Sequence, residues 1–219
     1  MHSSIVIFAG PSLYGTGLKT SSGPDIEWRP PARRGDIEAI VNASLPGAIA
    51  LADGTFHSYP SVSHVEIREA IDAGWIVFGL CSMGAIRAAE MAHMGMRPWG
   101  LVAEHFCRQI ETPDDEVALI HGNEWPYIHL SEPLIHIRAF LAYLVNSKLL
   151  SIVQASTIAA RLAAMWYGDR TLRLLEELIV EGLGGLSPQV DRQLKEFHRF
   201  RLKQQDLKAF VDQQPWLIA

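Results

Sequence analysis

Gly74-Trp-Ile-Val-Phe-Gly-Leu-Cys81-Ser82-Met83-Gly84-Ala85-Ile-Arg87-Ala-Ala-Glu90-Met is the stretch on which the fold reading turns. Trp75 to Phe78 is a short apolar run bounded by Gly74 and Gly79, the pattern of a buried strand. Ala85 to His93 is rich in Ala, Met, Glu and Arg, which favour helix. The segment between them must turn a strand into a helix within a few residues. Gly84, two places after Ser82, gives room for such a bend, as in the nucleophile elbow that lifts a Ser or Cys to the top of an α/β sheet. Leu80 stands where the strict elbow has Gly. The other reading is therefore a closely packed strand–helix junction carrying small polar residues.

Outward from that stretch, strand and helix patterns alternate. Ser4 to Ala9 reads as a buried strand entering the turn Gly10-Pro11-Ser12, a place where α/β folds contact anions or cofactors. Gly15-Thr-Gly17 is only a fragment of a dinucleotide fingerprint, and Leu18 to Pro31 reads as a connecting loop. Asp36 caps a short helix through Val41, and the pair Arg33-Arg34 before it suits a bidentate grip on a phosphate or carboxylate, or a solvated basic turn. Ala48 to Ala52 is a second strand, and Asp53 at its end points into the crevice where parallel sheets bind ligands, unless Asp53-Gly54 is simply a turn. Ser63 and Glu66 form a capping box for a helix reaching Ile71. His64 falls in its first turn, where a neutral imidazole can serve as base or donor.

Past the central stretch, Arg87 and Glu90 share a helix face, and Gly95 stops the helix. Trp99 to Ala103 reads as a fourth strand. Thr112-Pro113 with Asp114, Asp115 and Glu116 reads as the start of a helix through His121, its acids a solvated cap or a Mg²⁺ site. Tyr127 to Leu130 suggests an edge strand. From Glu132 onward the apolar spacing is helical throughout, over Pro133–Asn146, Ser151–Trp166, Asp169–Glu181 and Pro188–Val211. The expectation is an open, mostly parallel, Rossmann-like sheet flanked by helices over residues 1–131, with an all-helical lobe packed on it over 132–219.

Composition narrows the function. With 48% apolar residues among 219, the chain can bury a substantial core. Its net charge of −5 gives no reason to expect nucleic acid or an anionic membrane as partner. The cysteines, Cys81 and Cys107, fall short of a disulfide framework or a four-ligand zinc site, so reduced thiols and a cytoplasmic location are expected. Ile5 to Ala9 is too short for a signal-peptide core, and no apolar run approaches the ~20 residues of a membrane span.

Taken together and in order, several of these stretches resemble the TfuA-like family. They are Gly10-Pro11-Ser12, Pro30-Pro31-Ala32-Arg33-Arg34-Gly35-Asp36 and Asp53-Gly54-x-Phe56. Ser61-Val62-x-His64-x-Glu66-Ile67, Ser82-Met83-Gly84-Ala85-x-Arg87-Ala88-Ala89-Glu90 and Asp114-Asp115-Glu116-Val117-Ala118-Leu119 follow. The helical part carries none of the family's motifs. Where the family often has Ser-Ser-Met-Gly, this chain has Cys81-Ser82-Met83-Gly84.

The resemblance implies a partner of YcaO enzymes in backbone thioamidation of ribosomally made peptides. Such a protein releases sulfide from a ThiS-like carrier ending in a thiocarboxylate. The YcaO enzyme spends ATP to activate the peptide amide, and the TfuA-like protein is expected to need no cofactor or metal. Fitted to that chemistry, Ser82 or Cys81 attacks with His64 as base, or water attacks while Ser82 positions the carbonyl. Arg87, Arg33 and Arg34 neutralise the anionic thiocarboxylate, and the helix N-terminus after Met83 stabilises the oxyanion. Gly10, Ser12, Asp53 and Gly84 complete the expected substrate-binding set. Cys81, at a helix N-terminus, is expected to have a lowered pKa and so to be a competing nucleophile. The alternative is a non-catalytic adaptor that docks the carrier or precursor peptide onto the YcaO enzyme. A generic serine or thiol hydrolase is a weaker fit, because His105, His121, His129 and His136 form no motif with an Asp.

Overall fold

A computed structural model describes residues 4–18, 20, 25–55, 59–109 and 111–218; Phe56 and part of the 18–31 segment lie outside them. Among the described residues, five strands form one sheet: β1 (Ile5–Phe8), β2 (Ile26–Arg29), β3 (Ala48–Leu51), β4 (Ile76–Gly79) and β5 (Arg97–Pro98). Every pairing is parallel, and the order is β2-β1-β3-β4-β5. This is an α/β fold with a doubly wound order, whose topological switch point lies between β1 and β3. Both central strands are buried along their whole length, the reason they read as unbroken apolar runs.

Alternate residues of those strands feed two apolar layers. Val6, Phe8, Ile49 and Leu51 pack with helices α1 (Asp36–Ala43), α2 (His64–Asp72) and α3 (Met83–Met91). Ile5, Ile7, Ala48 and Ala50 face the opposite layer, which Leu207, Phe210 and Trp216 supply from the end of the chain. Phe210 stands edge-on to Phe78, with ring centres 5.3 Å apart.

Contacts divide the chain into two compact units. The first comprises Met1–Thr112, Trp125–Tyr127 and Lys203–Ala219, and includes the sheet, α1 to α3 and helix α4 (Gly100–Arg108). The second comprises Pro113–Glu124 and Ile128–Leu202 and holds α5 (Leu134–Asn146), α6 (Ile152–Ala163), α7 (Leu172–Leu183) and α8 (Pro188–Lys195). Its core is built from Phe140, Leu144, Ile158, Leu162, Leu175 and Ile179. Ser151, Thr171 and Ser187 cap α6, α7 and α8 by accepting N–H bonds at the third helical residue. The last helix, α9 (Leu202–Gln213), lies within the first unit from Lys203 onward.

Several local expectations are corrected. The 18–31 segment contains β2, an edge strand whose Glu27 and Arg29 give it a polar sequence because only one side pairs. Trp99 to Ala103 is not a strand, since Gly100 opens α4. The cap that makes it a helix is remote: the Asp206 carboxylate accepts the Leu101 and Val102 N–H groups, both at 2.9 Å. The helix expected over 113–121 shrinks to a single 3₁₀ turn, Asp114–Glu116. Tyr127 to Leu130 forms no strand, only one bridge between His129 and His121. The long C-terminal helix breaks at a 3₁₀ turn, Phe197–Phe200, into α8 and α9. Among the described residues, no helix is long and apolar enough to cross a membrane.

Candidate functional site

The residues after β1, β3 and β4 meet at the carboxyl edge of the sheet. After β1 the chain makes a 3₁₀ turn over Pro11–Leu13, and after β3 comes Asp53, buried at 2% exposure. Asp53 Oδ2 accepts the N–H groups of Gly10 and Ser12, each at 2.8 Å, while Oδ1 accepts the Ser12 hydroxyl at 2.8 Å. These charge-assisted bonds tie the two strand ends together across the switch point. The Ala32 N–H donates to the Asp53 carbonyl at 2.9 Å, which brings the Pro30-Pro31-Ala32 stretch alongside.

Space is tight here, and it explains two glycines. A Cβ on Gly10 would come within 2.5 Å of the Pro31 ring and 3.6 Å of the Tyr127 ring. A Cβ on Gly84 would fall on the main-chain carbonyl of Leu51, so that residue lets α3 approach β3.

After β4, Cys81 takes the left-handed conformation (φ 64°) at the bend and Ser82 stands before the first residue of α3. The elbow geometry therefore falls on Cys81, although its side chain is fully enclosed and its thiol donates to the Lys203 carbonyl at 3.2 Å. Burial pushes the thiol pKa well up, and the nearby Asp206 and Asp53 carboxylates push the same way. This overturns the expected lowering at a helix N-terminus: desolvation and two anions outweigh the dipole. Ser82 is 3% exposed; its N–H donates to the Ala52 carbonyl at 3.0 Å, and its hydroxyl makes no capping bond to α3.

The remaining expected residues form a second group. His64 Nε2 lies 2.8 Å from Glu90 Oε2, which also accepts from Arg87 Nη1 at 2.6 Å. Arg87 donates further to the Val62 carbonyl and the Ser61 hydroxyl, and Arg34 Nε to the Ser61 carbonyl at 3.3 Å. Arg33 stacks over the Tyr59 ring, 4.0 Å from its centre. Glu90 lies eight residues along α3 from Ser82, about 12 Å at 1.5 Å per residue. The structure thus gathers Gly10, Ser12, Asp53, Cys81 and Ser82 in one place, and Arg33, Arg34, His64 and Arg87 in another.

Sequence reasoning missed three residues of the first group. Lys203, fully buried, brings its Nζ to 3.9 Å from Asp53 Oδ1. The Gln204 carboxamide donates to the Pro11 carbonyl at 3.3 Å. Tyr127 is half-buried, and burial together with the Asp53 charge raises its phenol pKa. A signal for Lys203 was present: Lys203, Leu207 and Phe210 share one helix face, so a lysine interrupts an apolar stripe.

The acidic run 114–116 is engaged elsewhere. Asp115 pairs with the buried Arg170 at 2.6 Å, and Glu116 accepts Arg138 Nε at 2.7 Å. Among the described residues, no group of three or more His, Cys, Asp or Glu side chains is arranged to hold a metal ion.

A family model described as TfuA-like protein matches residues 53–171, more than half of the chain. The chain belongs to the TfuA-like family. No curated protein matches it. The matched span of this TfuA-like protein includes Asp53, His64, Cys81, Ser82, Arg87 and Tyr127; Gly10, Ser12 and Lys203 join them only through the fold.

Proposed function

We propose that this TfuA-like protein releases sulfide from the thiocarboxylate terminus of a ThiS-like carrier, for backbone thioamidation by a YcaO enzyme. The observation that carries the reading is the meeting of Ser12, Asp53 and Ser82 at the switch-point edge of the sheet, in a chain of this family. The reaction converts RCOS⁻ and water into RCOO⁻ and H₂S. The water oxygen bonds to the carbonyl carbon, and the C–S bond breaks. Sulfur leaves with the electron pair and ends with both water protons, so nothing is oxidised or reduced.

Ser82 holds the carbonyl or attacks it, and the N-terminus of α3 stabilises the oxyanion. Cys81 is a poor nucleophile, since only the thiolate attacks and burial holds the proton on. The distance along α3 argues that His64 serves with Arg33, Arg34 and Arg87 rather than with Ser82. That group suits docking of the carrier body, away from the terminus that is cleaved, with the precursor peptide met through the YcaO enzyme. A cytoplasmic location fits these partners.

The test is sulfide release from a purified thiocarboxylated carrier in the absence of any YcaO enzyme. Release that falls about a hundredfold or more in Ser82→Ala supports the reading. The near-complete burial of Ser82 favours one other reading, a non-catalytic adaptor that docks the carrier or precursor peptide onto the YcaO enzyme. No release without that enzyme, with tight carrier binding retained, would establish the adaptor.

A further inference from the structure

Among the described residues of the first unit, Lys203 is the one Lys or Arg that is buried. Its position is fixed from both sides of the sheet edge. Its carbonyl accepts the Cys81 thiol after β4, and the next side chain, Gln204, donates to Pro11 after β1. The ammonium lies 3.9 Å from the Asp53 oxygen that already accepts the Ser12 hydroxyl. Packing does not call for a lysine here. Leu207 and Phe210 on the same helix face fill their part of the layer with hydrocarbon, and burying an ammonium carries a desolvation penalty that a methionine would avoid.

The cation stands at the carboxyl ends of β1, β3 and β4, where sheets of this order take their ligands. We infer that Lys203 is a binding residue of the switch-point site, contacting the anionic terminus of the substrate tail and neutralising it for attack. The inference rests on the thiocarboxylate reading for the identity of the anion. Its chemistry is that of a carboxylate or thiocarboxylate terminus met by a desolvated ammonium, which is worth most where water is excluded. Asp53 has a matching role. It holds the Gly10–Ser12 turn and stands beside the lysine as its counter-ion.

The experiment uses the full-length protein with a purified ThiS-like carrier in two forms, one ending in thiocarboxylate and one in carboxylate. Sulfide release reports turnover of the first, and calorimetry reports binding of both. Lys203→Met is expected to weaken binding of both forms tenfold or more and to lower release about a hundredfold. Lys203→Arg is expected to retain most of the binding. The double variant Lys203→Met/Asp53→Asn keeps an acceptor for the turn and removes both charges, so it reports on the charge even if the single variant folds poorly. A folded double variant, by circular dichroism and melting, that binds and releases like wild type would overturn the inference. Loss in that variant supports it. If the wild type releases no sulfide yet binds the carboxylate carrier in a Lys203-dependent way, the hydrolase reading fails and the binding role of Lys203 stands.

Discussion

The Cys81 thiol donates a hydrogen bond to the main-chain carbonyl of Lys203, 122 positions later in the chain. That bond joins the turn between β4 and α3 to the first turn of α9. It uses the thiol as a structural donor and leaves no room around the sulfur.

Thiol chemistry separates the two cysteines. Cys107 is exposed and Cys81 is buried. A thiol reagent such as an aromatic disulfide is expected to label one thiol per chain in the native state and two after denaturant. Mass mapping should place the first label on Cys107. Cys81→Ala is expected to keep sulfide release; its loss would revive Cys81 as the attacking nucleophile.

Asp53 is expected to be worth more to stability than an ordinary buried carboxylate, since it satisfies the N–H groups of both Gly10 and Ser12. Asp53→Ala strands those donors at about 1–3 kcal/mol each. Asp53→Asn keeps one acceptor and costs less. Urea unfolding should rank wild type above Asp53→Asn and Asp53→Asn above Asp53→Ala.

Asp206 makes stability pH-dependent in the opposite sense to most carboxylates. Burial raises its pKa to about 6 from an ordinary 3.8, against the pull of the Val102 and Leu101 N–H bonds, with Glu104 adding to the rise. A raised carboxylate pKa means the folded state holds the proton more tightly. The associated stability is complete below about pH 4 and lost as pH rises through about 6. A shift of roughly two pH units is worth about 3 kcal/mol. Asp206→Asn is expected to flatten this part of the profile when unfolding is followed from pH 4.5 to 7.5.

Glu132 works the other way in the second unit. Burial favours its neutral form, but the His129 ring 3.7 Å away, the His136 ring at 3.2 Å and the Arg201 charge outweigh this and hold the carboxyl well below its usual range. Its stability is present above the ordinary carboxylate pKa and lost only in strong acid. Glu132→Ala leaves His129, His136 and Arg201 without their shared anion and is expected to cost about 3–5 kcal/mol at neutral pH.

The exposed arginines should govern encounter rather than stability. Arg33→Ala and Arg34→Ala are expected to change unfolding by less than about 1 kcal/mol, as surface charges usually do. Carrier binding should weaken, mostly through a slower on-rate, and lose part of its salt dependence in stopped-flow measurements.

The sequence determined the α/β class, the central strands and most helix starts, because these depend on neighbours. Apolar runs at β1 and β3 announce strands buried on both faces. Ser63 with Glu66 and Ser151 with Gln154 carry their caps within one turn. It also determined the family, through motifs that stand in order. Tertiary structure decided whatever depends on a distant partner. Trp99 to Ala103 has strand-like residues, but Asp206, more than a hundred positions away, supplies the cap that makes it helix. A helix-forming end of the chain became one wall of the sheet because Leu207, Phe210 and Trp216 match the face left open by Ile5 and Ile7. In the site, Asp53 was legible as a residue at a strand end, but its bonds to Gly10 and Ser12 were not. Cys81 looked reactive by local rule, and only its enclosure under Lys203, beside two carboxylates, reversed that. Burial is a property of the folded chain, and it decides the charge of a thiol more strongly than the sequence neighbours do.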